Sequence, residues 1–340
     1  MKLFVTGGAG FIGSNFIRHV LFQSGGHSIV NYDKLTYAGN LANLEDIASN
    51  PKYKFINGDI CDAKLVNEVM RGCDAVVHFA AESHVDRSIA EPAPVIQTNV
   101  TGTFTLLEAA RENKVGKFVH ISTDEVYGDV PAGITTDERY PVQPSSPYSA
   151  SKAAADLLVL SFVRTYGMPA VITRSCNNYG PFQFPEKFLP LMISRALDGK
   201  PVPVYGDGGQ EREWLHVEDN CRAVFDVLER GRTGEVYNIG TGTTVRNLEV
   251  AHQLLQILGK PESLISHVID RPGHDRRYAV NCAKIQRELR WQSSTSLQEG
   301  LRSTIDWYRN NSAWLKSILS KENAVASYAW GSTPISARSN

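Results

Sequence analysis

Short runs of apolar, largely β-branched residues recur along the first 240 positions, and longer segments with a helical period separate them. Six such runs predict buried strands, at 2–6, 28–32, 53–57, 75–79, 117–122 and 170–175. A seventh run, at 235–239, is expected to rejoin the same sheet. Helices are predicted at 11–22, 92–112 and 149–166. Because apolar strands alternating with helices are typical of parallel sheets buried on both faces, we predict an α/β fold with a doubly wound parallel sheet.

The pattern changes after residue 176. Segment 177–187 is rich in turn formers and aromatic residues, which indicates a crossing from the sheet edge into a second lobe. A helix at 188–197, an extended run at 201–205 and a helix at 220–229 follow before the chain returns to the sheet. The second lobe is therefore a smaller, discontinuous α/β unit.

These changes of pattern predict two domains and a tail. We place the sheet domain at 1–176 plus 216–242, the second lobe at 177–215 plus 243–320, and the tail at 321–340. The tail is rich in Ser, Ala and Asn and shows no periodicity, so we assign it no function.

Three glycines, Gly7, Gly10 and Gly13, follow the first strand and open a helix. Glycines at this spacing allow a tight turn, close approach of the backbone to a pyrophosphate, and close helix–strand packing, as in Rossmann dinucleotide sites. The second strand ends in Asp33, twenty residues after Gly13, where a ribose-binding acid is expected. Its carboxylate accepts a 2′-hydroxyl and repels a 2′-phosphate, so we predict NAD rather than NADP. The adjacent Lys34 weakens that repulsion, and a surface Asp at a strand end is the plain alternative.

The totals exclude several classes of protein. The chain has 340 residues, of which 42% are hydrophobic and 21% charged, with a net charge of −1. No basic field favours a nucleic acid or an anionic membrane, and no apolar run approaches the ~18 residues of a membrane span. The five cysteines are odd in number and never spaced as C-x2-C, and the histidines show no ligand spacing. We expect reduced thiols, no metal and a cytoplasmic protein.

Candidate chemistry lies after the strand at 117–122. Thr123, Asp124 and Glu125 stand at its carboxyl end, where ligands collect in open α/β sheets. Tyr148 and Lys152 lie four residues apart in a helical segment and so share one face. A nearby cation stabilises a phenolate, and lowering a tyrosine pKa from ~10 to about 7 takes roughly 4 kcal/mol. Taken singly, an Asp-Glu dipeptide is usually a solvated turn and Tyr-x3-Lys a chance spacing.

The order of these motifs along the chain favours a catalytic site over a solvated turn and a chance spacing. Glycine fingerprint, strand-Ser-Thr and Tyr-x3-Lys together resemble the extended short-chain dehydrogenase/reductase superfamily. Within it, Thr-Asp-Glu-Val-Tyr-Gly at 123–128 closely resembles the dTDP-glucose 4,6-dehydratase family. The resemblance runs from about Lys2 to about Tyr308, and it implies a lyase that holds NAD tightly and acts in deoxysugar biosynthesis, for example of rhamnose.

The resemblance also implies which residues bind ligands. Residues expected to contact NAD are Gly7, Gly10, Phe11, Ile12, Gly13, Asp33, Lys34, Asp59, Ile60, Phe79, Ala80, Ala81, Thr98, Tyr148, Lys152 and Asn178. Residues expected to contact the substrate are Ser83, Thr123, Asn177, Lys187, Phe188, Pro203, Tyr205, Arg212, Asn247, Arg271 and His274. The cations among them, with Arg277 as a further candidate, match the charge of a nucleoside diphosphate, and Tyr205 is suited to stacking.

The implied reaction gives each polar residue a role. Tyr148 removes the proton of the sugar 4-hydroxyl while hydride leaves C4 for NAD, with Thr123 and Lys152 orienting the partners. Glu125 then removes the C5 proton, Asp124 protonates the departing 6-hydroxyl, and hydride returns to C6. The order of acid and base comes from the resemblance alone. Because neighbouring strand residues point to opposite faces, both carboxylates reach one sugar only if the chain turns at Asp124.

Several alternatives stay open at this point. A nucleotide-sugar 4-epimerase or a sugar decarboxylase shares the scaffold, but an epimerase needs no acid–base pair at C5–C6. UDP-, CDP- and GDP-sugars are alternative substrates, because no residue type here demands thymine. A non-catalytic NAD-sensing protein is a further alternative, free to lose Tyr148 or Lys152. Finally, helices 92–112 and 149–166 offer more apolar surface than one sheet face needs, and in similar proteins they form a dimer interface, so we expect a homodimer.

Overall fold

The structure, a computed structural model, describes residues 1–321; the predicted tail from 322 onward lies outside the described residues. Its strands lie close to the positions expected from the sequence in the first half of the chain. They are β1 (Lys2–Thr6), β2 (Ser28–Asp33), β3 (Tyr53–Asn57), β4 (Ala75–His78), β5 (Lys117–Thr123), β6 (Ala170–Ser175), β7 (Asn177–Tyr179), β8 (Val202–Tyr205), β9 (Glu211–His216), β10 (Val236–Ile239), β11 (Thr244–Arg246) and β12 (Ile265–Val268).

Within this described part, seven strands form one parallel sheet in the order β10-β6-β5-β4-β1-β2-β3. Successive side chains of a strand face opposite sides, so Val77 and Val119 pack in one hydrophobic cluster while Val76 and Phe118 pack in another. Strand β1 pairs with both β2 and β4, so the direction of winding reverses beside β1. The crevice at the carboxyl ends of β1 and β4 is therefore where a ligand is expected. The α/β doubly wound prediction is confirmed.

Helices cover both faces of the sheet and build much of the second lobe. They are α1 (Phe11–His19), α2 (Ala63–Met70), α3 (Val85–Ala90), α4 (Pro92–Ile96), α5 (Thr103–Glu112), α6 (Pro147–Tyr166), α7 (Phe188–Leu197), α8 (Val217–Arg230), α9 (Asn247–Leu258), α10 (Ala283–Leu289), α11 (Leu297–Asn310) and α12 (Ser312–Lys321). The helix predicted at 92–112 is interrupted by a π-helical segment, Gln97–Gly102. Asn99 in that segment bonds the backbone of Glu82 through both amide atoms, at 2.9 and 3.0 Å. Such π-helical segments often mark functional sites.

The second lobe has its own small sheets and its own hydrophobic cluster. Strand β9 pairs with β7 in parallel and with β11 antiparallel, and β8 pairs with β12. The strand Glu211–His216 thus joins the outgoing and returning chain segments of this lobe. Leu189, Trp214 and Leu254 belong to a cluster separate from those of the large sheet. The domain boundaries stay a prediction, since residues such as Val280, Ile285 and Trp291 of the expected second lobe pack in a cluster of the large sheet.

Candidate active site

The glycine loop after β1 leaves room for a ligand at one position, and packing requires glycine at two others. A Cβ on Gly7, whose φ is +70°, would lie 2.6 Å from the backbone nitrogen of Ala80, and one on Gly13 would lie 2.3 Å from the Gly7 oxygen. A Cβ on Gly10 would meet no described atom closer than 3.3 Å. The packing therefore explains Gly7 and Gly13, whereas the open space beside Gly10 fits a pyrophosphate at the amino terminus of α1.

Asp33 and Lys34 lie where β2 ends. The Asp33 carboxylate accepts hydrogen bonds from the backbone N–H of Ala9 at 2.9 Å and of Leu35 at 2.8 Å. Burial raises the pKa of Asp33, and these two hydrogen bonds oppose that rise. The Lys34 ammonium lies 2.7 Å from the Asp59 carboxylate, so its charge is partly neutralised within the protein. This arrangement fits the ribose of NAD better than the 2′-phosphate of NADP.

A first cavity runs from this loop along the carboxyl ends of β1 and β4 towards α6. All residues that the resemblance assigned to NAD line it except Asn178, which lines the second cavity described below. The residues that line this cavity without having been expected to do so include Tyr37, Glu82, Gln183, Phe184 and Glu186. Only the glycine fingerprint and the acid after β2 carry a local signal, so nothing in the sequence pattern marked these five.

Helix α6 presents Tyr148 and Lys152 to the first cavity. Its start is defined by Ser146, whose hydroxyl accepts the N–H of Ser149 at 3.1 Å in a capping box. The Lys152 ammonium donates to the Ile121 carbonyl at 2.6 Å, and burial lowers the pKa of Lys152 to about 8. The Lys152 side chain is almost fully buried, and its cationic group lies directly beneath the cavity.

The predicted lowering of the Tyr148 pKa is not found among the protein's own groups. Burial raises the pKa of Tyr148, the carboxylates of Glu125 and Asp124 raise it further, and a hydrogen bond with the Thr123 hydroxyl opposes them. The Lys152 ammonium is directed to a backbone carbonyl of β5. The expectation that Lys152 and the positive nicotinamide of bound NAD together lower the Tyr148 pKa stays a prediction.

The chain turns at Asp124, which meets the geometric condition set by the sequence. Strand β5 ends at Thr123, and Asp124–Tyr127 form a 3-10 turn. The Thr123 hydroxyl accepts the N–H of Glu125 at 3.2 Å and lies 3.2 Å from an oxygen of Asp124. Both carboxylates act electrostatically on Tyr148, so the three groups lie near one another at the end of one strand.

The two carboxyl groups have different surroundings. Asp124 is 3% exposed, and its pKa is raised well above the ordinary value by burial and by the nearby carboxylates of Glu125 and Glu213. Burial also raises the pKa of Glu125, but three cations, Arg271, Arg212 and Lys187, pull it back. Groups whose environments push their pKa values apart are suited to act as an acid and a base. Of the two, Asp124 has the surroundings that favour the protonated form more strongly.

A second cavity lies between the sheet domain and the second lobe and adjoins the first. Apart from Thr123, which is buried at the end of β5, every residue that the resemblance assigned to the substrate lines it. Glu125 lines it as well, and Ser83, Gln183, Glu186 and Lys187 line both cavities. The predicted cation Arg277 is directed elsewhere, since its guanidinium bonds Glu211 at 3.1 Å and the Pro131 carbonyl at 3.1 Å.

Polar atoms without a protein partner are concentrated in the second cavity. Among the described residues, the side-chain oxygens of Asn177, Gln183 and Asn247 and the Nε of Arg271 are buried and have no hydrogen-bond partner. Because buried polar groups are normally paired, these atoms indicate a site built for a polar ligand. The Phe188 and Trp214 rings stack at 5.4 Å in the same wall and add an apolar surface.

No helix in residues 1–321 combines the length and apolar character needed to cross a bilayer. Over the same residues, no group of three His, Cys, Asp or Glu side chains is arranged to hold a metal ion.

Comparisons with known proteins place these features in one family of enzymes. The family model for GDP-mannose 4,6 dehydratase matches residues 4–304. A dTDP-glucose 4,6-dehydratase from Streptomyces niveus is 51% identical, over 96% of this chain and 98% of the relative, and one from Neisseria meningitidis serogroup B is 51% identical over 94% and 96%.

Solved structures give the same result. The crystal structure of a dTDP-glucose 4,6-dehydratase from Streptomyces venezuelae with NAD bound is similar with a TM-score of 0.92 and 49% identity, covering 94% of this chain and 100% of that one. A UDP-glucose 4-epimerase from Thermotoga maritima is similar with a TM-score of 0.85 and 31% identity, covering 92% and 99%. The scaffold is therefore shared with epimerases, while the sequence is closer to dehydratases.

Proposed function

The chain belongs to the dTDP-glucose 4,6-dehydratase family, and on that premise we propose that it converts dTDP-glucose to dTDP-4-keto-6-deoxy-glucose with NAD. The reaction is a hydro-lyase reaction in which C4 is oxidised, water is eliminated across C5 and C6, and the hydride returns to C6. The observation that carries the proposal is the Asp124–Glu125 pair, which follows β5 and stands close to Tyr148 beside the two cavities.

NAD fits the first cavity. Gly10 leaves the space a pyrophosphate needs, Asp33 offers a carboxylate to the ribose, and Tyr148 and Lys152 line the far end. When bound, the oxidised nicotinamide supplies a hydride acceptor and a positive charge. That charge adds to the Lys152 ammonium, which the protein places beneath the cavity.

Tyr148 and Thr123 handle the first proton. Tyr148 accepts the proton of the sugar 4-hydroxyl, and the Thr123 hydroxyl, hydrogen-bonded to the phenol, holds the phenol in place. Lys152 supplies positive charge beneath the site. Because the protein's own carboxylates oppose ionisation of the phenol, the Tyr148 phenolate that accepts this proton would be favoured by the positive charge of bound oxidised nicotinamide.

The two carboxyl groups handle the elimination. Glu125 faces Arg212, Arg271 and Lys187, which favour its ionised form, so we assign it as the base that removes the C5 proton. Burial and the carboxylates of Glu125 and Glu213 raise the pKa of Asp124 and favour its protonated form, so we assign it as the acid that protonates the leaving 6-hydroxyl. The electrostatics of the site thus support the order of acid and base that the resemblance implied.

The substrate test is turnover of dTDP-glucose in D2O with NAD added. We expect one deuterium at C5 of the product, because the proton that Glu125 removes exchanges with solvent before hydride returns. Side-by-side turnover of dTDP-, UDP-, CDP- and GDP-glucose then ranks the nucleotide. A product that keeps its 6-hydroxyl and is inverted at C4 would identify a 4-epimerase instead, the reaction of the structural relative from Thermotoga maritima.

We further propose a homodimer that forms through α4, α5 and α6, that is, through the regions 92–112 and 149–166. Four large apolar side chains on these helices are solvent-exposed in the single chain, Ile96, Phe104, Leu157 and Tyr166, with Leu157 62% exposed. Large exposed apolar side chains gathered on neighbouring helices are typical of an interface. The binding of a nucleotide sugar and of NAD across one subunit's own cavities does not require the partner.

The cellular setting is also proposed. The five cysteines, Cys61, Cys73, Cys176, Cys221 and Cys282, are all free thiols, which favours the reducing cytoplasm. A 4-keto-6-deoxy sugar nucleotide is a precursor for deoxysugar biosynthesis, of which rhamnose is one product.

A further inference from the structure

Helix α3 lies between the two cavities. Two consecutive residues on it, Asp86 and Arg87, contact the walls of different cavities. Its preceding segment includes Ser83, which lines both cavities. The first turn holds Asp86, which lines the second cavity, and Arg87, which contacts two residues that line the first. Neither residue has a role in the proton transfers proposed above.

Asp86 holds two side chains of the second lobe. One carboxylate oxygen accepts a hydrogen bond from the Tyr205 hydroxyl at 2.8 Å, and the other accepts one from an Nη of Arg271 at 3.0 Å. Asp86 is only 5% exposed, so these bonds form out of water, where charged hydrogen bonds are strong. The hydrogen bond from Nη1 to Asp86 orients the Arg271 guanidinium. The buried Nε of Arg271 has no protein partner. Both Tyr205 and Arg271 line the second cavity.

Arg87 holds the wall of the first cavity. Its guanidinium lies 3.9 Å from the centre of the Tyr37 ring, and its Nη and Nε lie 2.8 and 3.2 Å from one oxygen of Glu186. The Tyr37 ring also meets the Phe184 ring edge-on at 5.5 Å. Tyr37, Phe184 and Glu186 all line the cavity that fits NAD, and the last two come from the segment that crosses into the second lobe. A planar guanidinium suits this position because it stacks on a ring and pairs with a carboxylate at once.

We propose that Asp86 and Arg87 are positioning residues for different ligands, Asp86 for the nucleoside diphosphate and Arg87 for NAD. The inference rests on the proposed function, since it takes the second cavity to hold the nucleotide and the first to hold the cofactor. Arg87 closes the cofactor cavity by joining Tyr37 to Glu186, which keeps the nicotinamide in place between the outward and the return hydride transfer. Asp86 presents Arg271 and Tyr205 to the diphosphate end of the substrate.

The test uses each variant as the control for the other. In Asp86→Asn, the affinity for dTDP, measured by calorimetry on NAD-saturated protein, is expected to fall about 10- to 100-fold, since a buried charged hydrogen bond is lost. The rate of NAD loss from Asp86→Asn should stay within about 2-fold of the wild type. In Arg87→Met, NAD should leave at least about 10-fold faster, as followed by cofactor retained on gel filtration, while dTDP affinity at saturating NAD stays within about 2-fold.

Other outcomes overturn the inference. If both variants weaken both ligands to the same extent, α3 only holds the lobes together, and if neither changes its ligand, the contacts are incidental. Should Asp86→Asn fail to fold, Tyr205→Phe removes one of its two bonds alone and should still weaken dTDP binding several-fold. Should Arg87→Met fail to fold, Arg87→Lys keeps the charge but not the planar stacking on Tyr37, and it should release NAD at an intermediate rate.

The same measurements separate this inference from the proposed function. Wild-type protein that binds neither dTDP nor NAD contradicts the function itself. Wild-type protein that binds both, with variants that do not differ selectively, contradicts only the roles of Asp86 and Arg87.

Discussion

Replacing Asp124 with Asn tests the division of labour at the end of β5. The pKa of Asp124 is raised by burial, Glu125 and Glu213, which favours the neutral acid, and Asn matches the shape and charge of that form. The contact with the Thr123 hydroxyl, 3.2 Å from Asp124 Oδ1, is available to the amide oxygen of Asn as well. The fold should therefore be retained, while the proton for the leaving hydroxyl is lost.

The magnitude follows from the role. A positioned general acid contributes typically ~10²- to 10⁴-fold, which corresponds to about 3–5 kcal/mol of barrier. Because an Asn amide cannot supply the proton and Asp124 Oδ2 has no partner in the described structure, no neighbouring group is placed to substitute for it. We expect water loss to slow by about that factor. Oxidation at C4 relies on Tyr148 and Thr123 and should be slowed by less than about 10-fold.

The assay is a single turnover with enzyme in excess, followed by the absorbance of the reduced nicotinamide. In the wild type this signal should rise and decay, whereas in Asp124→Asn it should rise at a similar rate and then persist. Asp129→Asn, which alters an exposed carboxylate five residues further on, is the matched control and should behave as wild type. If Asp124→Asn slowed the rise of the signal, which reports C4 oxidation, by as much as its decay, which reports the later steps, the role assigned to this residue would be refuted.

Three further predictions concern a buried charge, the cofactor loop and the exposed helical face. Burial lowers the folded pKa of Lys152 from 10.5 to about 8, so its ammonium destabilises the fold by roughly 3 kcal/mol below that pH, and the effect fades as pH rises towards 10.5. Lys152→Met should abolish turnover yet raise the melting temperature near pH 7, with a smaller gain near pH 10; a lower melting temperature at both would contradict this. Gly10→Ala should fold normally and lose NAD, because the new methyl group fills mainly the ligand space. Gly13→Ala should instead lower the melting temperature, because its Cβ would lie 2.3 Å from the Gly7 oxygen. An equal fall in melting temperature for both variants would argue against a pyrophosphate at Gly10. Leu157→Glu should shift the dimer to monomer in light scattering, and Phe22→Glu, at a 61% exposed position outside the two helices, should leave the mass unchanged.

Much of the large sheet was predictable from the sequence. Strands β1, β3 and β6 begin and end where the apolar runs do, and β10 rejoins the sheet beside β6 as expected. Strands β1, β6 and β10 are buried on both faces, so their apolar residues stand out from the flanking turns. In the second lobe the signal is weaker. Strand Glu211–His216 mixes charged and aromatic residues, because Arg212 and Glu213 are buried for their polar contacts rather than for packing.

The local part of the site was equally accessible. The spacing of Tyr148 and Lys152 places both on one face of α6 because a helix repeats every 3.6 residues, and the glycine loop follows from backbone sterics. Both carboxylates can reach one sugar only if the chain turns at Asp124, and the 3-10 turn after Thr123 meets this condition. The pKa of Tyr148 was not accessible, because it depends on burial and on which group the Lys152 ammonium bonds.

The sequence by itself determined where the apolar strands lie, the glycine loop after β1 and the Asp124–Glu125 dipeptide, since each of these depends on neighbours within a few residues. Only the tertiary structure decided what surrounds them. Asp86 meets Tyr205 across 119 residues and Arg271 across 185, and Arg87 meets Glu186 across 99. Glu213 likewise raises the pKa of Asp124 from a strand that the apolar pattern did not reveal. Such pairings are selected by how the two lobes pack, and burial from water is what gives their charges the strength to orient a ligand or hold a proton.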